Sequence, residues 1–257
     1  MGKTRRVRSG RGVLTALLLL AASSLFLTNP AWAVGPTWLR HIFASRMSQK
    51  ESGPPVARYV MDAGGDFVFD RTATHPLLKF EDSPEVWALT VTRGPRGDLI
   101  YWNDLGQPLL RITKFGGVTV FTPKRPDGSA AAVAAAAAPL RLASVGPIGL
   151  YQHLALASAR SGRAAQHSIA FTAIDADATS DGLMADAAIV VSEAMVDLAV
   201  RPKGRALLKH IGRVAIIRGA ESAAAFRDGV IVITIAPTEG VYGRPSSLRI
   251  EQALKAR

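Results

Sequence analysis

The 257-residue sequence contains no cysteine. That absence excludes a disulfide framework, a Cys-ligated zinc or iron–sulfur site, a thiol nucleophile and a lipid-anchoring cysteine. Histidine is scarce: His41, His75, His153, His167 and His210 are scattered, with no pair at ligand spacing. A zinc site would need several of them to converge with carboxylates, so no metal and no cofactor are expected. The Gly-x-x-x-x-Gly-Lys-Ser/Thr phosphate loop, the His-Glu-x-x-His zinc helix and the Gly-x-Ser-x-Gly nucleophile elbow are all missing. What is present is a 48% apolar chain long enough to bury a sizeable core, the signature of a folded protein of one or two domains.

Only one long apolar run occurs, Val13 to Leu27. It falls short of the roughly 20 residues a spanning helix needs. Lys3, Arg5, Arg6, Arg8 and Arg11 precede it without an acid, and Ala31-Trp32-Ala33 follows it. A basic stretch, a short apolar helix and small residues before the cut describe a secretory signal over residues 1–33, cleaved between Ala33 and Val34. The leucine-rich core favours the general secretory route. Twin-arginine export is the minority alternative, because Val7, Arg8 and Ser9 follow Arg5-Arg6. The expected location is the periplasm or the exterior, with membrane contact only through the signal segment before cleavage.

This segment also changes the meaning of the charge. The full chain carries 31 Lys plus Arg against 20 Asp plus Glu, and removing the five basic residues of the signal leaves 26 against 20. A net charge of that size is ordinary solubility, or weak affinity for anionic envelope polymers and lipid headgroups. The mature chain has no basic region interleaved with aromatics, so no nucleic-acid partner is expected.

The mature chain reads as α+β. Over 34–55, Trp38, Leu39, Ile42, Phe43 and Met47 have amphipathic-helix spacing and form a leader helix, followed by a linker ending in Gly53-Pro54-Pro55. Eleven of the 17 aromatics lie between Trp38 and Phe121. Short β-rich runs separated by Gly and Asx turns predict an antiparallel meander or small barrel over 56–124. Phe67 with Phe69, and Trp87 with Leu89 and Val91, have the period of two that turns one face inward. Residues 125–139 are alanine-rich and read as a linker, either a short connecting helix or a loose tether. Over 140–257 the order of runs predicts a second α+β domain of about three strands and three helices, the last helix capped by Ser246 or Ser247.

Chemistry-bearing residues are few. Carboxylates cluster in the β region, with Asp62, Asp66 and Asp104 the candidates for acid–base hydrolysis, since that chemistry needs two converging carboxyls. Most of this cluster occupies turn positions where Asp bonds nearby amides. Arg96-Gly97-Asp98 spells an adhesion tripeptide at an expected hairpin tip, and is equally a good turn. In Gly243-Arg244-Pro245-Ser246-Ser247, a glycine-rich loop opens a capped helix. Arg244, Ser246 and Ser247 are therefore candidates to bind an anion through free amides and the helix dipole.

Several phrases together resemble a known family: Tyr59 to Val68, Ser83-Pro84-Glu85-Val86-Trp87-Ala88-Leu89, Gly97-Asp98-Leu99-Ile100-Tyr101, Gly117 to Pro123, and Gly243 to Ser247. The family is one of bacterial exported proteins catalogued as domain of unknown function 4908. The resemblance spans nearly all of the mature chain and implies an envelope protein, without activity, cofactor or catalytic residues to carry over. The leading expectation is an exported, non-catalytic protein that binds an envelope component or another protein. The alternative is a periplasmic hydrolase using the clustered carboxylates. A weaker alternative keeps the signal uncleaved and tethers the chain to the inner membrane.

Overall fold

The structure is a computed structural model that describes residues 54–256. The expected signal segment, its cleavage point at Ala33 and Val34, and the leader helix lie outside the described residues. Strands β1 (Val56–Met61), β2 (Asp66–Asp70), β3 (Leu77–Phe80), β4 (Val86–Ala88), β5 (Thr90–Arg93), β6 (Leu99–Trp102), β7 (Pro108–Ile112), β8 (Val118–Thr122) and β9 (Arg125–Ala136) form one antiparallel sheet. Their order is 4-3-2-1-9-8-7-6-5. β4 and β5 stand at opposite ends of that order, yet only Leu89 separates them in sequence. The sheet must therefore curl until its edges meet, giving a near-barrel in which β4 and β5 are two halves of one bent strand.

Period-two alternation fills this near-barrel with side chains. Tyr59, Phe67, Phe69, Leu78, Leu89, Tyr101, Leu110 and Val120 are buried in one cluster. The Tyr59 ring stacks on Phe67 at 5.1 Å, and Phe69 meets Tyr101 edge-on at 5.0 Å. Such pairs each add about 1 kcal/mol beyond the area they bury.

The alanine-rich segment is neither a helix nor a tether. It is the 12-residue strand β9, lying between β1 and β8. Ala131 pairs with Met61 of β1 and with Val118 of β8. Alanine's helix preference is worth only tenths of a kcal/mol per residue. Pairing along both sides outweighs it, and it removes two open sheet edges that would otherwise template aggregation. The sheet therefore extends through residue 136 instead of ending at 124.

Beyond the sheet come α1 (Gly146–Ala165), β10 (Ala170–Ala173), α2 (Asp181–Ala199), α3 (Pro202–Leu208), β11 (Arg213–Arg218), β12 (Ala223–Arg227), β13 (Val230–Ile235), a 3-10 segment (Pro237–Gly243) and α4 (Ser247–Lys255). A second sheet has the order 10-11-13-12, parallel except for the antiparallel edge strand β12. The described residues thus hold four strands and four helices here, where three of each were expected. The extra strand begins Ala223-Ala224-Ala225, alanine again concealing a strand. The extra helix, α3, starts at Pro202, whose missing amide hydrogen costs nothing at a first helical position.

Helix α2 is the hub of this helical region. Thirteen of its 19 residues are buried, so it is enclosed on nearly every side. It touches α1, α3, α4, β11 and β13. At its start Asp181 accepts from the Ser144 hydroxyl at 2.8 Å and the Gly146 amide at 2.7 Å, fixing the entry into α1. The bond from Ser144 in particular holds this carboxyl below the usual aspartate range. At the near-barrel, Asp70 accepts from the Leu140 amide at 2.8 Å and from Thr72, which anchors the chain leaving β9.

Replacing Ala131 with proline tests the placement of β9. A strand paired on both sides loses a ladder bond and leaves a partner carbonyl unsatisfied, so chemical denaturation of Ala131→Pro is expected to read a loss of at least about 2 kcal/mol. A tether would tolerate the change within about 0.5 kcal/mol.

Candidate functional site

An acid on an enclosed helix must be paired, because an isolated buried charge is too costly. Asp186 on α2 is such an acid, and its partner is Arg244, whose Nε donates to Asp186 Oδ2. Arg244 is itself buried. Its Nη2 donates to the Val86 carbonyl of β4 at 2.7 Å, and its Nη1 to Pro245 O at 3.3 Å and Glu85 Oε1 at 3.5 Å. One guanidinium thus joins the hub helix to the bent strand of the near-barrel. Gly243 makes this approach available: the Ala236 amide donates to its carbonyl at 2.7 Å, and a Cβ at position 243 would overlap the Ala236 carbonyl.

The first turn of α4 completes the cluster. Ser246 caps the helix, its hydroxyl accepting from the Arg249 amide at 3.1 Å. The Ser247 amide donates to Glu85 Oε1 at 3.0 Å and its hydroxyl to Glu85 Oε2 at 2.5 Å. The Ser246 amide and Arg249 Nε each donate to Asp104 Oδ2 at 3.0 Å. Free amides and a positive dipole end make a helix N-terminus an anion site. Here the anions are two carboxylates of the near-barrel, one before β4 and one in the β6–β7 turn. Glu85 immediately precedes β4, and Asp104 follows β6, the strand that pairs with β5, so both acids belong to the neighbourhood of the bent strand.

The cluster holds two buried carboxylates around one buried guanidinium. Burial pushes the Glu85 carboxyl up to about 7; Arg244 and the Ser247 donors oppose the rise, and the nearby Asp186 charge adds to it. Burial works against the Arg244 charge as well, but Asp186 and then Glu85 outweigh it and hold the guanidinium above its ordinary value.

Arg244, Ser246 and Ser247, read from sequence as candidates to bind an anion, lie together and face carboxylates of the chain itself, Glu85 and Asp104. The structure does not group the hydrolase candidates. Asp62 is exposed in the β1–β2 turn, Asp66 opens β2 at 4.0 Å from Arg58, and Asp104 is held by α4. Turn-making through the side chain belongs to other residues: Asn103 Oδ1 accepts from the Leu105 and Gln107 amides, and Asp70 from Thr72. Asp98 of the adhesion tripeptide is buried and accepts from Arg111 Nε at 2.8 Å, so the tripeptide is not presented. Asp186 escaped notice in the sequence, although a lone acid in the run Leu183 to Val191 is a signal for a buried partner. A shallow depression beside the cluster is lined by Trp87, Ala88, Asp104, Tyr242, Arg244 and Ser246, and the Tyr242 ring stacks on His75 at 3.9 Å. Among the described residues no group of three or more acids and histidines is arranged to hold a metal.

Compared with known proteins, residues 38–254 match the family described as Domain of unknown function (DUF4908). No curated protein and no solved structure matches the chain.

Two outcomes follow from the cluster. Arg244→Met leaves two buried carboxylates without their cation and is expected to cost about 3–5 kcal/mol in urea unfolding. The triple variant Glu85→Gln/Asp186→Asn/Arg244→Met, which removes all three charges, is expected to cost less than the single one. The second outcome concerns pH. The folded Glu85 value lies above its ordinary 4.5, so its contribution to stability is full below about pH 4.5 and lost as pH rises through about 7. Unfolding free energy of the wild type is expected to fall between about pH 5 and about pH 8 relative to Glu85→Gln, in which this carboxyl cannot titrate.

Proposed function

The chain belongs to the DUF4908 family, a domain of unknown function, and from that premise we propose that it is an exported, non-catalytic binding protein of the bacterial envelope. One observation carries the reading. The buried charged residues of the cluster, Glu85, Asp186 and Arg244, direct their charges and hydrogen bonds at one another and at Ser247 and Val86, and the other buried acids, Asp70, Asp98, Asp181 and Glu251, are likewise held by internal donors. The chemistry of the cluster is used to join the near-barrel to the helices, and the near-barrel interior is filled by its own aromatic side chains. Recognition then belongs to the outer surface. The signal-like segment over 1–33 supports export, with release at Ala33-Val34 and an envelope component or protein as partner.

A specific observation also favours hydrolysis as a second reading. Glu85, with a carboxyl near pH 7, belongs to the cluster whose Arg244 and Ser246 line the depression shared with Trp87 and Tyr242, and a value near the working pH suits a general acid. The same residue separates the two. Mature protein incubated with envelope esters, glycans and peptides is expected to show no turnover, while affinity capture from envelope extract returns a saturable partner. Turnover that disappears in Glu85→Gln would establish the hydrolase instead. N-terminal sequencing of the exported product is expected to begin at Val34; an intact N-terminus on membrane-bound protein would support the tethered alternative.

A further inference from the structure

Exposed large apolar residues are scattered singly over the described surface, as is normal, except on α1. There Ile148 is 76% exposed, Tyr151 73% and Leu156 56%. With exposed Ala155 and Ala159 they follow the three-to-four spacing of one helix face, and exposed Arg163 continues it. The opposite face is the one that packs: Leu150, Ala157, Ser161 and Ala165 are buried, and α1 lies along α2. Helix α1 is therefore apolar on two sides, and among the described residues only one has a partner.

The charged side chains that α1 and α3 themselves carry are all basic, and of the two acids on the neighbouring stretch of α2, Glu193 is paired with Arg160 and Asp197 is exposed. Helix α1 contains Arg160 and Arg163 and no acid. Arg160 is paired with Glu193 of α2, leaving Arg163 on the open face. Helix α3 touches α1 and belongs to a stretch, Leu198 to Ala220, that has no acid at all. Its exposed Lys203 and Arg205, and Lys209 just beyond it, have no carboxylate partner among the described residues. Val200, between α2 and α3, adds another exposed apolar side chain at 74%.

We propose that the open face of α1, with the basic α3 beside it, docks on an anionic lipid surface. The pattern is that of an interfacial helix: aliphatic and tyrosine side chains enter the boundary between headgroups and acyl chains, while lysine and arginine meet the phosphates. A second copy of this chain is a poor occupant, because two acid-free faces repel. An acidic protein partner would satisfy the charge, but the bilayer also accepts an apolar stripe along a single helix, here interrupted by the neutral Gln152 alone, without a complementary groove. This goes beyond the binding reading above and does not depend on export, so N-terminal processing and lipid binding can fail separately. The sequence expectation confined membrane contact to the signal segment, since the open face of α1 is defined only once the fold shows which side rests on α2.

The test is co-sedimentation of the mature chain with vesicles of phosphatidylglycerol and phosphatidylethanolamine, against vesicles of phosphatidylcholine alone. Binding is expected to the anionic vesicles, at least about tenfold weaker to the neutral ones, and reduced by high salt. Ile148→Glu/Leu156→Glu changes exposed positions and is expected to lose at least about tenfold in anionic-vesicle binding with an unchanged melting temperature. Tyr151→Ser provides a milder change should the double variant melt early, and Lys203→Glu/Lys209→Glu is expected to weaken binding to anionic vesicles alone. Failure to sediment with anionic vesicles, binding indifferent to the α1 substitutions, or α1-dependent binding only to an acidic soluble protein would each overturn the proposal.

Discussion

A single guanidinium, that of Arg244, holds four things that lie far apart in sequence: Asp186 on the hub helix, the Val86 carbonyl on the bent strand, the Glu85 carboxylate before it, and the loop that opens α4. An arginine suits this place because its planar fork offers several donors in fixed directions and keeps its charge when desolvated. The arrangement is costly to break and not intrinsically stabilising, since removing three charges from water offsets much of their attraction. Its contribution is specificity. With Arg244 in place, β4, α2 and α4 have one mutual arrangement in which all buried charges find partners.

The bent strand explains why that contact falls where it does. At Leu89 the chain changes partner, from β3 on one side to β6 on the other, so the sheet has a corner there at which backbone groups are left outside the ladder. β4 stands at one end of the sheet order, so its edge away from β3 has no ladder partner, and Arg244 donates to the Val86 carbonyl. Glu85 immediately precedes β4 and Asp104 follows β6, and the amides of Ser247 and Ser246 reach one each. Helix α4 thereby closes the corner with its dipole end, and the two carboxylates satisfy amides that the helix cannot pair within itself.

Much of the architecture was legible wherever side chains carry the pattern. The period-two pairs Phe67 with Phe69, and Trp87 with Leu89 and Val91, fall in strands or between them as expected, and of the two cap candidates Ser246 caps α4. Both missed strands are alanine-rich, β9 and β12. Alanine carries no period because its side chain is alike on both faces, and only the neighbouring strands determine its conformation. The run Val86 to Arg93 reads as one strand, since nothing local marks the change of partner at Leu89. The donors of the Arg244 to Ser247 loop were legible, but not what they face: Glu85 lies 162 residues from Ser247, and a contact of that separation leaves no trace in local spacing.

The central claim is that the Arg244 cluster couples the near-barrel and the helical region into a single cooperative unit. Native-state hydrogen exchange followed by mass spectrometry tests it most directly, by comparing opening free energies of β1, β2 and β8 with those of α2. In the wild type the slowest amides of both regions are expected to open with the same free energy, and in Arg244→Met the two values are expected to separate. Two values already distinct in the wild type, or a single shared value that persists in Arg244→Met, would contradict that coupling.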